Sequence, residues 1–160
     1  MTNDLAALEA QYAKLGEEIE RLKQAKEAAE WPRLGGTYFY ISARGRVESC
    51  QWAYDNFDLS SKSIGNIFRT HEDAEKELEA RIVTAELRQQ PGRKAFVLGH
   101  KNWGVIVDFS NNTASNGWHS AHALAFASIY FESYEAVESA IQVVGADRII
   151  AASRWLSMGV

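Results

Sequence analysis

Residues 67–78 read IFRTHEDAEKEL, the pattern of a strand that runs into a capped helix. Residues 129–141 repeat this pattern as IYFESYEAVESAI. Thr70 and Ser133 hold equivalent places, and both residue types favour the helix N-cap because their side-chain oxygen accepts a hydrogen bond from an unpaired backbone N–H. The carboxylates that follow suit the positive end of a helix dipole. Two copies of one strand–helix junction predict a duplicated α+β unit.

Each junction extends outward into a predicted βββα repeat, residues 37–90 and residues 94–145. β-Branched and aromatic runs separated by turn residues predict the strands, and apolar residues at helical spacing predict the helices. The first repeat is expected to contain strands at 37–42, 47–52 and 63–68, a polar loop at 55–63 and a helix at 71–90. The second is expected to contain strands at 94–99, 104–109 and 124–131, a polar loop at 110–120 and a helix at 133–144.

The two predicted helices each carry one apolar stripe. The stripes are Ala74, Leu78, Ile82 and Ala85 in the first helix, and Val137, Ala140, Ile141 and Val144 in the second. Gly145 is expected to end the second helix, and a further short helix is expected at 147–156. The predicted fold class is therefore α+β, with mostly antiparallel sheet and helices on one face.

A helix is predicted at residues 4–30, before a hinge at 31–36 that contains one proline and two glycines. Its apolar residues follow a heptad repeat. Leu5, Tyr12, Ile19 and Lys26 take position a, and Leu8, Leu15, Leu22 and Ala29 take position d. Glu18 and Lys23 have the spacing of a g–e′ ion pair between parallel chains.

Two interpretations of this helix remain open, a coiled coil and an amphipathic helix packed on its own domain. A stripe of two residues in seven is narrow for a globular helix, and this favours self-association. Residues 1–30 are therefore predicted to be an oligomerisation helix, most simply of a dimer, and residues 31–160 the α+β domain.

Composition narrows the class of protein. The chain has 160 residues, 46% hydrophobic and 24% charged, with a net charge of −4, which argues against a broad nucleic-acid footprint. No apolar run approaches the length of a membrane span, no signal peptide is evident, and a single cysteine permits no internal disulfide. We expect a cytoplasmic protein without membrane contact. Five tryptophans and six tyrosines suggest a binding surface beyond the core.

Two blocks of the sequence resemble a family of small uncharacterised phage and prophage proteins. The first runs from Trp52 through Asp55 and Asp58 to residues 65–75, and the second covers residues 129–149. The family carries a W-x-D-D…GN-x-F-x-T-x-E-E-A-E block and a later I-Y-F-x-S-x-E…A-I…G-x-D-R-I block. The resemblance spans roughly residues 31 to 156. It implies phage origin, and hence a host-cell cytoplasmic location, but no catalytic activity.

Six residues are candidates for ligand binding: Trp52, Asp55, Asp58, Trp103, Arg148 and Arg154. The alternative for the first three is a core tryptophan followed by an Asx-rich turn, in which aspartates bond to their own backbone. Arg148 lies in the first turn of the last predicted helix, where the helix dipole disfavours a cation. It therefore requires an anionic partner, either the neighbouring Asp147, a phosphate or a carboxylate of another subunit.

Metal and cofactor chemistry have weak support. His119 and His122, with His100 and Asp108, form the one metal-like cluster, but no acidic residue follows in the register of a zinc protease. We expect no metal, and the chain carries no phosphate loop, dinucleotide fingerprint or nucleophile elbow. No cofactor is expected, and we expect no enzymatic activity.

Three functions fit these observations. The first is a non-enzymatic phage accessory protein that binds and inhibits a host defence component, either a protein effector or a nucleotide signal. The second is a nucleic-acid-binding protein that uses arginines and lysines near the hairpin turns together with aromatic strands. The third is a small metal-dependent hydrolase, which would require the histidines and Asp108 to converge.

Overall fold

The computed structural model describes residues 2–29, 31–119 and 126–158, and within the first helix the side chains of residues 9–23 and 26. The helices in this part of the chain are α1 Thr2–Ala29, α2 Asn56–Ser63, α3 His71–Gln89, α4 Tyr134–Val144 and α5 Ala146–Ser157. The strands are β1 Thr37–Ile41, β2 Val47–Gln51, β3 Arg93–Lys94, β4 Asn102–Asp108, β5 Thr113–His119 and β6 Tyr130–Phe131, with a short 3₁₀ turn at Phe126–Ser128. None of the described helices has the length and apolar character needed to cross a membrane.

The strands form two antiparallel sheets, one of two strands (β1-β2) and one of four in the order β3-β6-β4-β5. The α+β class with an N-terminal helix is confirmed. The chain divides into two compact units. The N-terminal unit comprises Met1–Tyr38 and Cys50–Gly65, and the core unit comprises Phe39–Ser49 and Asn66–Val160.

The expected hairpin of residues 37–42 and 47–52 is confirmed as β1 and β2. Two backbone hydrogen bonds extend the ladder beyond it: Gly35 N donates to Trp52 O, and Trp52 N donates to Gly36 O, each at 2.8 Å. The helix predicted at residues 4–30 is confirmed as α1 within the described range, and every described side chain of α1 is exposed. The structure of one chain leaves the predicted coiled coil untested.

The core unit is built around one hydrophobic cluster. It combines residues of α3, α4 and α5 with β4, β6 and the 3₁₀ turn. Phe131 and Ile149 are at its centre, each without exposed surface. The predicted apolar stripe of α4 is confirmed, as are the last helix and the ending of α4 at Gly145, which has a positive φ of 95°.

The predicted apolar stripe of α3 is confirmed at Ala74 and wrong at Ile82 and Ala85. Its buried residues are Ala74, Ala80, Val83 and Leu87, whereas Ile82 and Ala85 are exposed. Polar residues beside the buried face are paired with side chains of α5 while remaining partly exposed, and hydrophobic periodicity alone does not register such pairing. Glu77 accepts a hydrogen bond from Trp155 Nε1, and Glu79 and Glu86 bind Arg148.

The predicted third strand at 63–68 and the preceding loop at 55–63 are wrong. Helix α2 occupies most of that loop, and only Phe68 makes a strand contact, an antiparallel bridge to Phe39. The Asn66 side chain replaces a ladder strand: its Oδ1 accepts from Ile41 N at 3.2 Å, and its Nδ2 donates to Ile41 O at 2.8 Å. A side-chain amide therefore satisfies the backbone groups that a third strand would have paired.

The predicted second hairpin, 94–99 with 104–109, is also wrong. β4 instead pairs with β5 over the predicted loop at 110–120. The Asp108 carboxylate accepts hydrogen bonds from the backbone N–H groups of Ser110 and Asn111, and Asn112 adopts a positive φ of 51°, so these residues form a tight turn.

The segment before β4 is held as a loop by the buried Asn102. Its Oδ1 accepts from Val97 N at 2.8 Å, and its Nδ2 donates to the carbonyls of Val97 and His100, each at 2.9 Å. The strand predicted at 124–131 is reduced, in its described part, to the 3₁₀ turn and β6, and residues 120–125 lie outside the described residues.

Candidate functional site

A groove of about 500 Å³ runs between α3 and α5 in the core unit. Its α5 wall is formed by small and apolar side chains, Ala151, Ala152, Trp155 and Met158. Positions 151, 152, 155 and 158 fall on one side of a helix because a turn takes 3.6 residues. The two alanines leave open space, and the long Met158 side chain is exposed beside it. This wall therefore presents an apolar surface. The volume of the groove lies in the range typical of ligand pockets.

The α3 wall is formed by charged side chains at helical spacing. Glu72, Glu75, Lys76 and Glu79 line this side. Lys76 Nζ lies 2.6 Å from Glu72 Oε1, and this hydrogen bond lowers the pKa of the Glu72 carboxyl and raises the pKa of Lys76. The Glu72 carboxyl is thus ionised at neutral pH, opposite the apolar wall of α5.

Trp155 is held in a fixed orientation at the groove. Its indole Nε1 donates to Glu77 Oε2 at 2.9 Å, and Lys76 Nζ lies 5.7 Å from the ring centroid. The ring also packs against the core cluster. An aromatic side chain held by a hydrogen bond, a cation and core packing offers contact area without much further loss of conformational entropy.

Arg154 lies at the edge of the groove. Its Nη2 donates to Asn112 Oδ1 at 3.2 Å, and its guanidinium carbon lies 5.8 Å from the Phe109 ring centroid. Asn112 and Phe109 belong to the β4–β5 turn. Of the six predicted binding residues, Arg154 is the one that lines the groove.

Arg148 lies about one turn before Ala151 and Ala152 on α5 and is bound by two carboxylates of α3, Glu79 and Glu86. Its Nε donates to Glu79 Oε1 at 2.7 Å and its Nη1 to Glu86 Oε2 at 2.6 Å. The hydrogen bonds that Arg148 donates to Glu86 and Glu79 raise the pKa of the guanidinium further. The anionic partner expected from the sequence is thus supplied within the chain, by residues far from Arg148 in sequence.

The structure brings Trp52, Asp55 and Asp58 together in the N-terminal unit. Asp55 caps α2 by accepting from Asp58 N at 2.8 Å. The buried Asp58 carboxylate accepts in return from the Tyr38 hydroxyl at 2.7 Å and from Ala53 N at 2.5 Å. Burial raises the pKa of the Asp58 carboxyl, but these hydrogen bonds lower it more, so the group is ionised at neutral pH.

Trp52 itself is 1% exposed, and its ring meets Tyr38 edge-on at 5.7 Å. A ligand would reach that ring only after the N-terminal unit opened. The three residues therefore have an evident structural use, and the burial of Trp52 and Asp58 gives a ligand little access to them.

Trp103 is separated from the groove residues. It lies within β4 and not in a hairpin turn. Its ring is half-buried against the core and meets the Tyr134 ring edge-on at 5.9 Å.

The metal-like residues of the sequence do not converge where the structure describes them. Asp108 and Asn102 are the opposite ends of β4, and Asn102 pairs with His119. Six residues of strand separate these ends by about 20 Å, so Asp108 lies far from His119. No group of three possible metal ligands occurs among the described residues, and His122 lies outside them.

Two features were missed from the sequence. The groove could have been found from the shared helical spacing of residues 72, 75, 76 and 79 on one helix and residues 151, 152, 155 and 158 on the other, but their pairing depends on how the helices pack. The second feature is Trp118, an exposed residue of the edge strand β5, with Lys101 Nζ 5.2 Å from its ring centroid.

The chain matches no family model, and no match was found among curated proteins or solved structures. The resemblance to phage proteins therefore rests on the quoted sequence blocks alone.

Proposed function

We propose that this protein is a non-enzymatic binding protein whose groove between α3 and α5 receives an amphipathic, positively charged helix of a protein partner. The groove is the observation that carries the proposal, with its apolar α5 wall and its glutamates along α3. An amphipathic helix that lays its apolar face into such a groove is a recurrent mode of recognition.

The charge of α3 supports a basic partner. Six carboxylates and three lysines or arginines occur along this helix, and Arg148 of α5 pairs with two of the carboxylates, so an excess of two negative charges remains. Lysines on the rim of a bound helix would meet this excess of negative charge, which speeds association and selects against acidic partners.

The resemblance to phage proteins suggests the biological setting. We propose that the partner is a component of host defence, and that the protein inhibits it in the host cytoplasm. An acidic helix could also occupy a surface that normally binds nucleic acid. A nucleotide signal is a less suitable ligand for the groove, because glutamates on its wall would repel phosphates.

The test uses two fluorescently labelled amphipathic peptides, one built from leucine and lysine and the other from leucine and glutamate. Fluorescence anisotropy should show binding of the lysine peptide alone. Ala151→Arg fills the groove and adds a positive charge, and should weaken binding about tenfold or more, which corresponds to about 1.4 kcal/mol. Val143→Arg, at an exposed position of α4, is the matched control and should bind normally.

Equal binding of the two peptides, or no effect of Ala151→Arg, would contradict the proposal. The same variants identify the natural partner in host lysate. A captured protein is the partner only if it is lost with Ala151→Arg and kept with Val143→Arg.

Nucleic-acid binding is a second candidate, favoured by the surroundings of Trp118. Lys101 Nζ lies over this exposed ring, and Lys94 Nζ donates a hydrogen bond to Lys101 O at 2.7 Å. Aromatic rings beside cations stack single-stranded bases. Binding to a random oligonucleotide should then weaken steeply with salt and be reduced by Trp118→Ala, whereas salt-independent or absent binding would reject this candidate.

We propose in addition that α1 joins two copies of the chain. Tyr12, Leu15 and Leu22 are 71%, 60% and 58% exposed, although they lie on one face of the helix. Large exposed apolar residues in a row are typical of an interaction surface. Light scattering should give a dimer, and Leu15→Asp with Leu22→Asp should give a monomer because the substitutions place charges in the seam. A chain beginning at Trp31 should also be monomeric, and a dimer of that chain would exclude this role for α1.

Finally, we propose that residues 37–90 and 94–145 are structural repeats. In both, a phenylalanine two residues before the helix N-cap pairs antiparallel with the first strand of a hairpin, Phe68 with Phe39 and Phe131 with Trp103. Superposition of the two segments on their strand–helix junctions tests this proposal.

A further inference from the structure

The charged residues beside the α1 seam carry information about the orientation of a dimer. In a parallel coiled coil, position g faces position e of the partner, whereas in an antiparallel one e faces e and g faces g. Charge pairs at these positions select the orientation. In α1, Glu9, Gly16 and Lys23 take position e, and Gln11 and Glu18 take position g.

A parallel arrangement has one favourable pair and several unfavourable ones. Glu18 would face Lys23 of the partner, but the Glu18 carboxylate already binds Arg21 Nη2 of its own helix at 2.6 Å. The g–e pair two heptads earlier would bring Asp4 against Glu9. Position a would place Tyr12 against its own copy, and likewise Lys26 against its own copy.

An antiparallel arrangement resolves these conflicts. If Leu15 packs against Ile19 of the partner, the same register sets Tyr12 against Leu22. It also places Glu9 opposite Lys23 of the partner. Because the dimer has two-fold symmetry, this ion pair occurs twice. Glu18 then faces Glu18 of the partner, and each carboxylate keeps its ion pair with Arg21 of its own helix, which weakens the repulsion between them.

Gly16 is consistent with the same register. Glycine in an exposed helix interior is less favourable than alanine, and Gly16 lies near the middle of α1. In the antiparallel register, Gly16 faces Gly16 of the partner beside the two-fold axis. The absence of a side chain lets the two backbones approach closely there.

We propose that two copies of this chain pair through α1 in antiparallel orientation, with Leu15 and Ile19 of one helix against Ile19 and Leu15 of the other. The proposal rests on the self-association proposed above and specifies its geometry.

Disulfide trapping distinguishes the two orientations. In a Cys50→Ser background, chains with Tyr12→Cys are mixed with chains carrying Leu22→Cys in a glutathione redox buffer. The antiparallel register predicts the mixed disulfide as the main product by mass spectrometry. Tyr12 and its own copy would be offset by ten residues, or about 15 Å along the axis, beyond the reach of a disulfide.

A second measurement leaves the seam intact. A spin label at Ala10→Cys, on the outer face of α1, reports the distance to its copy by pulsed electron paramagnetic resonance. The antiparallel register adds an offset of about 21 Å along the axis, because position 10 lies level with position 24 of the partner. A parallel dimer has no such offset.

The outcomes separate the two proposals. A mixed disulfide with a long label distance supports the antiparallel dimer. Disulfides between identical positions, or a short label distance, overturn the orientation but retain the dimer. A monomer by light scattering of the unmodified protein overturns both.

Discussion

The two strand–helix junctions share their local chemistry but differ in their surroundings. Thr70 Oγ1 accepts from Asp73 N at 3.0 Å, and Ser133 Oγ accepts from Ala136 N at 3.2 Å. The strand residues differ: Phe68 makes an isolated bridge, whereas Phe131 belongs to β6, which lies between β3 and β4. The same sequence pattern therefore forms an isolated bridge in the first junction and an inner strand of the four-stranded sheet in the second.

The helices that follow diverge in the same way. α4 buries a continuous apolar stripe in the core, whereas α3 buries a narrower face and turns charged residues toward α5. Repetition of a junction does not require repetition of a role. One copy supplies packing, and the other adds the charged wall of the groove.

The largest expected effect separates the two phenylalanines. Phe131→Ala should lower the free energy of unfolding by about 4 kcal/mol or more, because the side chain is fully buried within the core cluster. Phe68→Ala should cost about 3 kcal/mol or less, since Phe68 lies outside that cluster and has a single bridge. Urea unfolding of both variants measures the difference, and a larger loss for Phe68→Ala would reverse the comparison.

The caps should give a smaller and nearly equal effect. Thr70→Ala and Ser133→Ala each remove one side-chain acceptor from a helix N-terminus, and each should cost about 1 kcal/mol. Thr70→Ser and Ser133→Thr keep the acceptor and serve as controls. Unequal losses from the two alanine variants would mean that the junctions differ locally as well as in their surroundings.

The smallest effect concerns the first-turn carboxylates. The pKa of Glu135 is lowered by a hydrogen bond from its own backbone N–H and another from Ser133, whereas that of Glu72 is lowered by Lys76. Because both folded pKa values lie below the unfolded value of about 4.3, each group stabilises the protein above that pH. The stabilisation is lost as the pH falls through the folded pKa.

Glu72→Gln and Glu135→Gln should therefore be destabilising at pH 7 and nearly neutral at low pH. Salt distinguishes them, since the Debye length is about 3 Å at 1 M and an exposed ion pair is screened. The effect of Glu72→Gln should shrink in 1 M salt, and that of Glu135→Gln should persist. Equal salt sensitivity would contradict the assigned causes.

The sequence predicted the parts of the fold that depend on local chemistry. The caps at Thr70 and Ser133, the first hairpin and the end of α4 at Gly145 follow from residues close in the chain. The strand pairings do not follow from residues close in the chain. Asn66 and Asn102 bind backbone groups through their side-chain amides, and a pattern of hydrophobicity does not reveal such bonds.

The candidate site was predicted only in part for the same reason. Arg154 was singled out by its charge, but the groove exists because α5 packs along α3, a contact between residues far apart in sequence. Arg148 was correctly expected to need an anion, yet its partners, Glu79 and Glu86, lie more than sixty residues away.

Gly145 joins α4 to α5 without a loop between them. It ends one helix, its N–H bonded to Ile141 O at 2.9 Å, and its carbonyl accepts from Ile149 N at 3.1 Å in the next. A single residue at φ 95° thus forms the bend between the two helices, and its backbone dihedral angles set the direction of α5. The width of the groove depends on that direction, so a side chain introduced at Gly145 would change the width of the groove without lining it. Under the proposed function, a substitution at this position would change which helices the groove accepts without changing any of its lining residues.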